Sequence, residues 1–121
     1  MRGIKFRVWD MLFSKMFSHK YLCEENLGFG SFLLSQEDEN IKLMQYTGLK
    51  DKNGKCVYES DIVEMYSKVG HTKTIGGIYY ENRVCAFMVN DLTFNQYLPL
   101  TENDAIEVIG NIYENKELLD N

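Results

Sequence analysis

"QYTGLKDKNGKCVYESDIVEM", residues 45–65, sets glycine, asparagine and seven charged side chains among apolar ones in one short span. In its centre, "DKNGK", Asp51, Asn53 and Gly54 occupy the slots of a type I turn followed by a left-handed glycine, with Asp51 placed to accept hydrogen bonds from the turn's own amides. Asn53-Gly54 equally suits a two-residue I′ hairpin. Either way the chain reverses, and a β-branched residue at Gly54 is expected to cost on the order of 1 kcal/mol or more. A calcium loop is excluded by register. With Gly54 at the sixth loop position, Leu49 falls on the first ligand and Ser60 on the twelfth, where a bidentate glutamate belongs. Glu59, Asp61 and Glu64 have the composition of paired catalytic carboxylates. Glu59-Ser60-Asp61 reads more simply as a tight turn into a strand over Ile62 to Tyr66, with Asp61 bonding nearby amides.

Strand periodicity continues outward from this turn. "RGIKFRVW" at the amino terminus alternates, with Ile4, Phe6 and Val8 assigned to a core face and Lys5, Arg7 and Trp9 to an outward basic face. "MLFSKMF" after Asp10 is too apolar for a simple solvated turn and fits a second strand or an apolar loop pressed onto a neighbour. Residues 18 to 40 give no clear period. Ile41 to Tyr46 fits a strand. "TIGGIYY" and "VCAFMV" fit a hairpin with a three-residue loop, Glu81-Asn82-Arg83, and Gly76-Gly77 suggests a bulge or a tight bend. "AIEVIGNIY" places Ile106, Val108 and Ile112 on one face. Asn115 is positioned to cap a short helix over "KELLDN", with Glu117 near its positive end. The expected class is mainly β, a strand-rich single domain over residues 1–121 with six or seven short strands. An amino-terminal strand or hairpin extension and a short carboxy-terminal helix flank it. A compact barrel or two small packed sheets would solve the edge problem.

Composition agrees with one globular core. A chain of 121 residues with 45% hydrophobic and 26% charged residues and one proline is not disordered. At this length folding buries roughly two-thirds of the unfolded surface. No run approaches a membrane span, and Arg2, Lys5, Arg7, Asp10 and Lys15 interrupt any signal-peptide core, so a soluble intracellular protein is expected. Cys23, Cys56 and Cys85 are odd in number and scattered, which fits free thiols. The net charge of −5 argues against general nucleic-acid binding, yet residues 1–20 carry five basic groups and one acid (+4), leaving −9 on residues 21–121.

Three blocks carry a resemblance: "IKFRVWD" (Ile4 to Asp10), "MQYTGLKDKNGKCVYESDIV" (Met44 to Val63) and "EVIGNIYENKELL" (Glu107 to Leu119). They cover about a third of the chain, at its start, middle and end, and resemble the hallmark blocks of the YopX-like family of phage and prophage proteins. The resemblance implies phage origin, the cytoplasm of a bacterial host and a β fold of the SH3-like barrel kind, and no activity. Three positions depart from it. Ser60 replaces the glycine of a Glu-Gly-Asp turn, so the backbone there is expected to avoid positive φ. Lys116 replaces a proline that opens the last helix. Met11-Leu12-Phe13 replaces a polar, lysine-rich turn.

No catalytic constellation stands out. His19 and Cys23 are the closest base and thiol, at helical i, i+4 spacing, and read as a surface histidine beside a partly buried cysteine. Glu24 and His71 do not complete a familiar metal spacing. "GFGSF" (Gly28 to Phe32) lacks the rest of a phosphate loop, and Glu37-Asp38-Glu39 reads as solvated. No cofactor or metal is expected. The favoured reading is a non-catalytic phage accessory protein that binds a protein partner or itself. Its candidate surface is Met11, Leu12 and Phe13 with Lys5, Arg7 and Trp9. Inhibition of a host enzyme or defence system is a narrower version that phage origin motivates. The alternative is nucleic-acid binding by the basic strand, with Trp9 and Phe13 as stacking surfaces.

Overall fold

In a computed structural model, residues 3–24, 39–67, 72–93, 95–101 and 106–119 are described. Backbone contacts divide the chain into two units, Met1–Tyr46 and Thr47–Asn121. Nine strands are present among the described residues, more than the six or seven expected, and the protein is mainly β.

In the first unit, β1 (Phe6–Asp10) lies between β2 (Lys15–Phe17) and the first half of β3 (Ile41–Lys50), antiparallel to both. A short helix, α1 (His19–Glu24), packs against β1. Ser18 starts it, its carbonyl accepting from Leu22 N–H at 3.0 Å and its hydroxyl from Tyr21 N–H at 3.2 Å. Val8, Trp9, Leu22, Met44 and Tyr46 are the buried apolar residues here. This corrects the expected faces of the first strand. Val8 and Trp9 are consecutive and both buried, whereas Ile4, assigned to the core face, is 62% exposed. Neighbouring side chains point to opposite faces, so both faces of β1 are covered at this point. Alternation marks burial only where one face meets water.

The second unit begins within β3, whose remainder neighbours β4 (Cys56–Tyr58); Thr47 Oγ1 donates to Val57 O at 2.8 Å. The turn between them has the predicted form. Gly54 N–H donates to Asp51 O at 3.0 Å, Asp51 N–H to Lys55 O at 2.8 Å, and Gly54 has φ of +82°. After it come β5 (Asp61–Ser67), β6 (Thr72–Glu81), β7 (Ala86–Asp91), β8 (Gln96–Pro99) and β9 (Glu107–Asn111), in an antiparallel sheet ordered β8-β7-β6-β5-β9. Val57, Val63, Ile78, Val89 and Ile106 form its core, with Met65, Leu100 and Val108 packed against them.

Four local expectations are corrected in this unit. The β6–β7 loop is Asn82 to Cys85, four residues, because Glu81 still pairs with Ala86 and Cys85 takes the left-handed position at φ +51°. Gly76 and Gly77 make no bulge; they pair in register with Val63 and Ile62. The bulge is on β9, where Ile62 faces Gly110 and Val63 faces Val108, so Ile109 is the extra residue. It inverts the alternation, and Val108 and Ile112 no longer share a face. Finally, the last helix is a single 3-10 turn, Lys116–Leu118, which Asn115 does not cap with its side chain. Asn115 Oδ1 instead accepts from Asn111 N–H at 3.1 Å. With lysine at the position where proline would preset the helix, little favours a longer one.

Candidate functional site

The site begins at Asp10. Its Oδ1 accepts from Leu12 N–H at 2.9 Å and Phe13 N–H at 3.3 Å, and Ser14 turns the chain with φ of +50°, so residues 11–14 form the tip of the β1–β2 hairpin. Met11 N–H donates to Asn40 O at 2.8 Å, tying the tip's first residue to the start of β3. The apolar side chains take no part in these bonds. Leu12 is 70% and Phe13 78% exposed, the two most exposed large apolar residues among those described, and Met11 is also exposed. The second strand expected within "MLFSKMF" is present at Lys15–Phe17, and residues 11–14 are a hairpin tip rather than a loop pressed onto a neighbour. It is a backbone held by hydrogen bonds that displays apolar groups to water, above a base of buried Val8 and Trp9.

The residues predicted to flank this patch are differently placed. Trp9 is buried and corrects the expected outward face; it offers no stacking surface. Lys5 and Arg7 are half-buried, with Lys5 Nζ 5.5 Å from the Tyr46 ring centre and the Nε of Arg7 buried. Lys15 remains exposed, its Nζ 5.2 Å from the Phe17 ring, which in turn stacks at 5.2 Å on Tyr21.

His19 and Cys23 do meet, at 3.6 Å between Nε2 and Sγ, with the opposite exposure from that expected: the thiol is exposed and the imidazole half-buried. Phe6 N–H donates to His19 Nδ1 at 3.2 Å. An accepting Nδ1 leaves the proton on Nε2, the nitrogen that faces sulfur, so the neutral ring is in the wrong tautomer to deprotonate Cys23. Among the described residues no group of three His, Cys, Asp or Glu side chains is placed to hold a metal ion, and no helix is long and apolar enough to cross a membrane. His71, Gly28 to Phe32, Glu37 and Asp38 lie outside the described residues. The three cysteines are thiols.

The turn residues serve structure. Asp51 is buried and accepts from Asn53 N–H at 2.9 Å, Lys55 N–H at 2.8 Å and Val108 N–H at 3.0 Å. Burial alone would raise its pKa, but the hydrogen bonds from Val108, Lys55 and Asn53, with the Lys55 charge, hold it below the ordinary value. Asn53 Nδ2 and Lys52 Nζ reach Glu107 at 3.3 and 3.2 Å, fastening the turn to β9. Asp61 is fully buried and accepts from Tyr58 N–H at 2.8 Å, while Glu59 is half-buried beside it. Ser60 has φ of +71°, against the expectation that serine would avoid this region. The turn keeps the glycine conformation because both of its peptide partners demand it: Ser60 N–H donates to Ile78 O and its carbonyl accepts from Ile112 N–H.

A concavity that sequence reasoning missed lies on the second unit's sheet. It has a volume of about 290 Å³ and is lined chiefly by Gly77, Tyr79, Asn90, Leu92, Ile112 and Leu119, with Ser60 at one side. Register explains the grouping, since Gly77 pairs with Asn90 and Asn90 with Tyr97, placing all three in one cross-strand row. Burial and the charge of Glu81, with a smaller part from Tyr97, push the Tyr79 hydroxyl's pKa up. The only signal for this site in the sequence is the glycine pair, whose second member nothing in the strand geometry requires.

Fold and site together define a small, mainly β protein of two antiparallel sheets, whose most exposed large apolar side chains among the described residues lie on a hairpin tip. The chain matches the family model described as YopX protein over residues 5–120 and belongs to that family. It is similar to the crystal structure of protein EF1440 from Enterococcus faecalis, with 25% sequence identity, a TM-score of 0.65, and coverage of 99% of this chain and 100% of that one. It is also similar in fold to protein yopX from Bacillus subtilis, with 20% identity, a TM-score of 0.62 and the same coverage. No curated protein matches it.

Proposed function

We propose that this chain is a non-catalytic binding protein that engages another protein, or a further copy of itself, through the β1–β2 hairpin tip. The observation that carries this is the exposure of Leu12 and Phe13 on a tip whose backbone Asp10 already holds. Burying such side chains contributes roughly 1.5–3 kcal/mol each, so their display favours a partner that covers them. A preorganised hairpin also lowers the ordering cost of docking. The sequence blocks shared with phage and prophage proteins support a role in a phage accessory module, working in the cytoplasm of a bacterial host. The His19 tautomer supports a non-catalytic role.

The test compares the mass in solution of the wild type and of the double variant Leu12→Ser/Phe13→Ser, and their binding to candidate partners, after circular dichroism has shown that both fold. Loss of association or partner binding in the variant is expected. Unchanged association and unchanged partners would remove the tip from consideration. Salt-sensitive retention on DNA or RNA, abolished by Lys5→Glu/Arg7→Glu, would favour the nucleic-acid reading instead.

A further inference from the structure

We infer that the occupant of the Gly77 concavity is the hairpin tip of a second copy of this chain, so that copies associate tip to pocket; this rests on the tip being a docking element. The pocket's floor is open for no conformational reason. A Cβ placed on Gly76 would lie 2.5 Å from Val89 Cγ1 and 2.9 Å from Asn90 O, so glycine is required there by close approach. A Cβ on Gly77 meets nothing within 4 Å, and its φ is not in the left-handed region. The absence of a side chain at Gly77 therefore leaves space, and leaves it among Tyr79, Leu92, Ile112 and Leu119.

That space has apolar walls, and the same chain carries two apolar side chains, 70% and 78% exposed, on a tip whose backbone is hydrogen-bonded to Asp10. Tyr97, 65% exposed and edge-on to Tyr79 with ring centres 6.2 Å apart, extends the apolar surface at the rim. Charge selects the same occupant. The tip belongs to a segment of net +4, the pocket to the remainder of net −9, and Glu59 and Glu117 lie within two residues of the lining residues Ser60 and Leu119, while Glu81, two residues from Tyr79, is ion-paired with Arg83. Tip and pocket are unlike surfaces and each copy has one of each to offer, so tip-to-pocket contact either pairs two copies reciprocally or adds them head to tail.

Sedimentation velocity over a concentration series tests this with three proteins: wild type, the tip variant Leu12→Ser/Phe13→Ser and the pocket-filling variant Gly77→Val. Asn90→Phe serves as a second filling variant, and thermal melting checks each fold. Wild type is expected to self-associate, with each variant weakened by about tenfold or more. An equimolar mixture of tip and pocket variants should form a 1:1 complex that grows no further, because only one complementary pair survives. If both pocket variants associate as wild type does while the tip variant does not, the tip docks elsewhere: the pocket assignment is overturned and the tip reading stands. If the tip variant also associates as wild type does, both are overturned. A wild type that stays monomeric throughout overturns the self-docking.

Discussion

At the scale of the residue, most of the buried polar side chains are devices for turning the chain. Asp51, Asp61, Asp91 and Asn111 are each buried, and each accepts backbone N–H groups from its own loop. A carboxylate that satisfies loop amides away from water replaces hydrogen bonds the loop would otherwise leave unmade. Asp51 adds a long-range bond to Val108, 57 residues away. Asp51→Asn is therefore expected to cost about 2 kcal/mol in urea unfolding, since an amide accepts through one oxygen and turns its NH₂ toward a donor. Because the folded pKa lies below the ordinary 3.8, Asp51's contribution is intact above that value and is lost as pH falls through it toward the native one. Wild-type stability should thus drop more steeply than that of Asp51→Asn as pH is lowered below about 5. Ser60 works in the opposite sense. Held at φ +71°, it carries the strain of a left-handed L-residue, and Ser60→Gly should stabilise the fold by about 0.5–1 kcal/mol. The local part of this was legible: the letters of "DKNGK" specify a turn because its partners lie within a few residues. The Val108 bond and the strain at Ser60 were not, because both depend on strands brought together from elsewhere.

At the scale of the element, pairing decides what a residue type means. Gly76 and Gly77 are adjacent and identical in sequence, yet one is hemmed in by Val89 and Asn90 and the other faces open space. Gly76→Ala should destabilise by about 1–3 kcal/mol, because Val89 is fully buried and its strand must shift. Gly77→Val should leave the melting temperature unchanged or raised, as a β-branched residue suits a strand with room for it. Equal losses for the two substitutions would show that the register of β6 is misread. The long strands were legible because they alternate or run apolar over many residues. β4, three residues between two turns, is too short for any period. β8 pairs only with β7 at the sheet's edge, is mostly exposed and ends in Pro99, a residue edges tolerate. The β1–β2 hairpin was half legible: the first strand and an apolar patch at Met11 to Phe13 showed, but not that Asp10 closes residues 11–14 into a four-residue tip.

At the scale of the whole molecule, the uneven charge of the chain bears on the proposed tip-to-pocket contact between copies. With +4 on residues 1–20 and −9 on the rest, two copies repel through their net charge and attract only when the basic segment of one approaches the acidic remainder of the other. Such attraction acts over about a Debye length, roughly 10 Å at 0.1 M salt and 3 Å at 1 M. Salt acts unequally on the two parts of a tip-to-pocket contact. It screens the charges that orient the approach, and it leaves the insertion of Leu12 and Phe13 into an apolar space largely untouched. Association of the wild type should therefore weaken between these salt concentrations chiefly through a slower on-rate, with the off-rate little changed. Charge reversal of the exposed Lys15, at Lys15→Glu, should slow association at low salt and matter little at high salt. Stopped-flow kinetics on the wild type and Lys15→Glu at both concentrations separate these effects. If Lys15→Glu mainly raises the off-rate instead, Lys15 makes a short-range contact in the complex rather than steering it. An on-rate that rises with salt would mean that like charges meet, and would exclude the acidic side of the pocket as the tip's destination.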